Sequence, residues 1–102
     1  VDGWVYCMAQ DGTKLVKLGW TSRPPAERAR DGTLGPAPLV VVRAWRSSQA
    51  RLLERLVLRR LEHCRARGEW LALGVEDVEE AVETTARVHR LDLALVEFRR
   101  AE

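Results

Sequence analysis

The amino-acid sequence predicts an α+β fold: a small three-stranded, mostly antiparallel sheet flanked by helices, in the order β-β-α-β-α-α. Three observations lead there. Two segments rich in β-branched and aromatic residues are joined by Asp11-Gly12, a strong hairpin signal. A third run, Leu39-Val40-Val41-Val42, is continuously apolar and implies a strand buried on both faces. Two later stretches repeat their apolar residues at helical spacing. The 102 residues are 46% apolar and 31% charged, enough for one domain with one modest core. Such a core buries about 65% of the surface its unfolded chain exposes. Residues 1–102 are read as that single domain, with a motif-bearing core at 3–73 and an acidic C-terminal helix and tail at 74–102.

Each element has its own warrant. The first strand spans 3–9, Gly-Trp-Val-Tyr-Cys-Met-Ala, and the second spans 14–20, Lys-Leu-Val-Lys-Leu-Gly-Trp. The turn between them is Gln10-Asp11-Gly12-Thr13. Thr21 or Ser22 then caps a short helix over 24–31, whose two prolines suit a first turn. Gly32 to Pro38 is loop, and Leu39 to Arg46 is the third strand. Ser47 or Ser48 caps a long helix over 48–66, ended by Gly68 at C′. Leu53, Leu56, Val57, Leu61 and Cys64 share its core-facing arc, and Arg51, Arg55, Arg59 and Glu62 lie opposite. Glu54, Leu58 and Arg65 fall on the border between the two. Arg60 lies within the apolar arc without an evident reason. Residues 69–73 are a short extended piece, and a second helix covers about 75–90. Its acids come first and its arginines last, the order its dipole favours. The tail from Leu91 to Glu102 is open between helix and strand. Trp4, Trp45 and Trp70 are read as core.

Charge narrows the function. The net +2 hides a partition: 13 basic residues against four acids between Lys14 and Arg67, then four arginines against nine acids from Gly68 onward. The first part is suited to phosphates and the second is not. Two cysteines, Cys7 and Cys64, are too few for a disulfide framework, so a reducing cytoplasm is expected. No apolar stretch is long enough to span a membrane, and no export signal opens the chain. Val1 in place of an initiator Met points to processing or to an excerpt. Cys7, His63, Cys64 and His89 lack zinc-site spacing.

One constellation carries chemistry. Tyr6 and Lys17 stand on neighbouring strands, Arg28 on the helix that follows, and Glu54 on the border stripe of the long helix. Tyrosine, lysine, arginine and one carboxylate on a basic surface suit phosphodiester cleavage. The glutamate can bind a Mg²⁺ that keeps most of its waters. The arginine stabilises charge on the phosphate, and tyrosine or lysine takes a proton from attacking water. Lys14, Trp20, Arg23, Arg30 and Arg65 supply a nucleic-acid-binding surface around it. Trp20 either stacks on a base or packs.

Five ordered motifs strengthen that reading. They are Val5-Tyr6, Lys17-Leu18-Gly19 followed by Thr21, Pro25-Ala26-Glu27-Arg28, Glu54, and Arg65-Ala66-Arg67-Gly68-Glu69-Trp70. In this the chain resembles the short phage and bacterial branch of the GIY-YIG nuclease superfamily, over residues 3 to about 73. The resemblance implies a DNA endonuclease using one Mg²⁺ or Mn²⁺. Glu54 holds the metal, Arg28 stabilises the transition state, Tyr6 assisted by Lys17 is the general base, and Gly19 and Glu69 are structural. One departure is Leu58, where that branch has His. A target-recognition domain, fused or separate, is the expected further partner beside DNA. Two alternatives stand: a catalytically inactive nucleic-acid-binding module, and a protein-interaction domain using the acidic C-terminal helix.

Overall fold

The computed structural model describes residues 2–10, 15–24 and 39–99. Its first three strands are β1 (Gly3–Gln10), β2 (Val16–Thr21) and β3 (Leu39–Ser47). Helix α1 (Ala50–Arg60) follows and passes through one 3₁₀ turn, Glu62–Cys64, into β4 (Arg65–Arg67) and β5 (Trp70–Leu71). Helix α2 (Val75–Val88) and a last strand, β6 (Ala94–Phe98), complete the described chain. The strands form one sheet in the order β4-β5-β2-β1-β3-β6, and every pairing is antiparallel.

The expected three-stranded sheet is therefore corrected to six strands, within a fold that remains α+β. The three predicted strands are its centre. The three additional strands are short and lie toward the edges, where few residues carry a periodic signal. Helix α1 also ends earlier than its apolar arc suggests, so residues 65–67 leave it to pair with β5. Gly68 does adopt a left-handed φ of +55°, but in the β4–β5 turn rather than at a helix end.

Alternation along β1 divides the core. Val5 and Cys7 face the helices and share a buried cluster with Leu18, Val42, Trp45, Leu53, Val57 and Val82. Tyr6 and Met8 face the other side and cluster with Ala44 and Val41. Both faces of the central strands are thus covered, as the Val-rich third strand requires. A register shift between Cys7 and Met8 adjusts β1 to β3. Trp45 is fully buried, whereas Trp4 and Trp70 are half-buried.

The serines before α1 do not cap it. Ser47 Oγ accepts the Gln49 N–H, while the Ser48 N–H and hydroxyl both donate to Asp92. That carboxylate, held below its ordinary pKa chiefly by the Ser48 hydroxyl, fastens the β3–α1 turn to the segment before β6. One buried cation ties the far side together. Arg43, 3% exposed, donates to Glu79 on α2 at 3.0 Å and to the carbonyls of Val42 and Arg99 at 2.9 and 2.7 Å. Its guanidinium also lies 3.7 Å from the centre of the Phe98 ring. Position 43 sits within an apolar run, so the sequence gives no warning of this junction.

Candidate nucleic-acid interface and carboxylate site

Glu54 is the chemical centre of the arrangement. It lies one residue after the fully buried Leu53 of α1, so its carboxylate emerges at the edge of the packed face. It is half-buried, and its pKa is pushed from 4.5 to about 7. Burial is the first cause and the neighbouring Glu69 carboxylate the second; Arg55, Arg51 and Arg65 pull the other way. Three arginines and a second carboxylate therefore surround one glutamate.

Glu69 reaches this position because β5 extends the sheet beside β2. On β2, strand β5 pairs only with Val16 and Lys17, and beyond them the Leu18 N–H donates to the Glu69 carbonyl at 3.1 Å. Among the described residues, Gly19 to Thr21 have a strand partner only on the β1 side. The site thus borders an open stretch of β2.

Tyr6 lies across that stretch. It pairs with Gly19, and its ring occupies the space a side chain at Gly19 would need. A Cβ built there would stand 2.5 Å from the tyrosine oxygen and 2.6 Å from Cζ. Gly19 is therefore a glycine because the tyrosine ring rests on its backbone. The ring is 1% exposed, packed in the cluster with Met8 and Ala44. Lys17, half-buried opposite Met8, projects from the same sheet face by alternation.

The predicted residues thus divide. Glu54, Glu69 and Arg65 come together on the helix side, at the β2 edge. Tyr6 and Lys17 project from the opposite face of the sheet, and only the open end of β2 links the two groups. Trp20 is half-buried with Arg51 stacked 5.9 Å from its ring centre, so it packs against α1. Arg23 is exposed, its N–H donating to Thr21 Oγ1 at 3.0 Å. Arg65 is exposed and braces the β4–β5 turn through the Gly68 carbonyl at 2.8 Å. Leu58 packs against the core cluster. Lys14, Arg28 and Arg30, with residues 11–13 of the turn and most of the helix at 24–31, lie outside the described residues.

Among the described residues no group of three or more His, Cys, Asp or Glu side chains comes together as a metal site. The carboxylates near enough to feel each other's charge are Glu54 and Glu69. The pair fits a hard divalent ion that takes one or two carboxylates and keeps its waters. Burial first and the Glu69 charge second weaken the acidity of Glu54, and a cation beside it would offset both. The sequence casts Glu69 as a structural residue by its motif position; the fold also brings its charge to bear on Glu54.

Comparison with known proteins assigns the family. No curated protein and no solved structure gives a match. A family model, that of the T5orf172 domain, matches residues 3–86. This corrects the resemblance to GIY-YIG nucleases, since the family matched over most of the chain is a different one. The shared motifs are short, and a match across residues 3–86 outweighs them. The chain belongs to the T5orf172 domain family.

Proposed function

We propose that this chain is a metal-dependent nuclease domain that hydrolyses DNA phosphodiester bonds at the Glu54 site. T5orf172 domains occur in phage and bacterial nuclease-like proteins, in keeping with a DNA-acting function. The observation that carries the finer reading is the half-buried Glu54 at the edge of α1, its charge acted on by Glu69 and by Arg55, Arg51 and Arg65. A carboxylate pair gives a divalent cation a seat, and the arginines hold the phosphate against it.

Each residue then has a task. Glu54 and Glu69 would hold Mg²⁺ or Mn²⁺, which would supply a Lewis acid for the phosphate and for the leaving oxygen. Arg65 and Arg51 neutralise phosphate charge from the helix side. Arg28 supports the charge that develops on the phosphate during attack. For Tyr6, held in one orientation by Gly19, to accept the proton of the attacking water with help from Lys17, the phosphate must reach from the Glu54 face across the open end of β2. The supporting chemistry is economical: one metal seat, one base and several cations.

A second reading is favoured by a specific observation. Tyr6 is buried on the sheet face opposite α1, which suits a DNA-binding module without catalysis. Supercoiled-plasmid relaxation separates the two. The nuclease reading predicts nicking that requires Mg²⁺ or Mn²⁺ and is lost in Glu54→Ala and Arg28→Ala, with Tyr6→Phe slowed by about 10²-fold or more. Intact plasmid at every metal concentration, with DNA binding retained, selects the module.

A further inference from the structure

Helix α1 differs from helix α2 in the charge at its start. Helix α2 begins with Glu76 and Asp77 and ends with Arg87, so its charges complement its dipole. Helix α1 has no acid in its first turn, and Arg51 occupies that turn instead. Arg51, Arg55 and Arg59 then follow at four-residue intervals, placing like charges next to each other along one exposed stripe. None of the three is in an ion pair with a described residue, whereas Arg43 and Arg46 are paired with Glu79 and Asp2. Arg59 suits the C-terminal end of the dipole, so the unfavourable features of the stripe are Arg51 in the first turn and the spacing of like charges, both of which a bound anion relieves.

The surroundings say which way that anion lies. Helix α1 packs over β1 and β2, and α2 lies alongside it, tied by Glu79 to Arg43 of β3. The helical face of the sheet is consequently basic toward β2 and acidic toward β6. On the basic side the stripe borders Glu54, and the exposed Arg65 and Arg67 of β4 extend it. On the acidic side Glu76, Asp77, Glu80 and Glu83 are exposed and repel phosphates.

We infer that Arg51, Arg55 and Arg59 form a backbone-contacting rail for duplex DNA, which runs along α1 and is kept off α2 by its acids. This deepens the DNA-acting reading above and rests on it. The rail touches phosphates rather than bases, so it positions the duplex beside Glu54 without selecting its sequence.

The test is fluorescence anisotropy of a short labelled duplex of arbitrary sequence, titrated with the full chain across a range of salt. The native chain shows a steep fall of affinity with salt. Arg55→Gln with Arg59→Gln is expected to reduce the slope by about 0.9 for each phosphate that is no longer neutralised. Arg55→Lys with Arg59→Lys keeps the slope, because the charges remain. Glu80→Gln on α2 also leaves the slope in place. A double glutamine variant that is folded by circular dichroism yet keeps the native slope overturns the rail while leaving DNA binding intact. A native chain that binds no duplex at low salt overturns the DNA-acting reading, and the rail with it.

Discussion

A single glycine fixes where the one tyrosine of this chain can be. Gly19 leaves room for the Tyr6 ring and nothing else, since an added Cβ would lie 2.6 Å from Cζ. Gly19→Ala must displace a fully buried ring, so chemical denaturation should show a loss of about 1–3 kcal/mol. A stability equal to the native chain's would mean the ring has another resting place. Glu54 gives a second prediction, with its sign fixed by the pKa shift. Folding raises its pKa from 4.5 to about 7, so the folded state holds the proton that the unfolded state releases. Below 4.5 both states are protonated and no penalty arises; stability then falls as pH rises from 4.5 to about 7. Thermal melts should show Glu54→Gln more stable than the native chain at pH 8 and matched to it near pH 4. Equal melting differences at both pH values would remove Glu54 as the titrating group. The place of Glu54 was readable from the sequence as a border-stripe residue. Its pairing with Glu69 was not, because that depends on where β5 lands against β2.

Elements end where local geometry, not composition, dictates. Helix α2 closes with the Leu91 N–H donating to the Ala86 carbonyl at 2.8 Å, and this places Arg90 at a left-handed φ of 55°. Glycine has no Cβ cost there, so Arg90→Gly should stabilise the chain by about 0.5–1 kcal/mol in urea unfolding. A loss instead would show that the Arg90 side chain makes a stabilising contact. The long helix shows the limit of periodicity. Its buried arc continues through Leu61, yet the backbone tightens into a 3₁₀ turn and leaves as a strand. Short strands such as β4 and β5 have too few residues to show alternation, and their existence depends on a partner. Strand β6 is exposed along its length, so its residues carry no in-and-out pattern to read. No helix among the described residues is long and apolar enough to cross a membrane.

At the scale of the whole molecule, the charge partition in the sequence becomes a spatial one. Basic α1 and β4 lie toward one end of the sheet, and acidic α2 leans toward the other. The buried Arg43 of β3 fastens α2 and the end of β6 to its strand, through Glu79, the Arg99 carbonyl and the Phe98 ring. Glu79→Ala leaves that guanidinium buried without its carboxylate, at a cost of about 3 kcal/mol measurable by denaturant unfolding. A change below about 0.5 kcal/mol would show that the two carbonyls alone satisfy it. The central claim is that Glu54 and Glu69 seat a divalent ion on the basic side of this divided molecule. Mn²⁺ titration followed by electron paramagnetic resonance, at pH 6 and pH 8, tests it most directly. Binding requires the ionised carboxylate, and Glu54 titrates at about 7 among Glu69, Arg51, Arg55 and Arg65. The affinity should therefore rise about tenfold between the two pH values and collapse in Glu54→Gln. Mn²⁺ that fails to bind, or that binds the variant as tightly as the native chain, would contradict the claim.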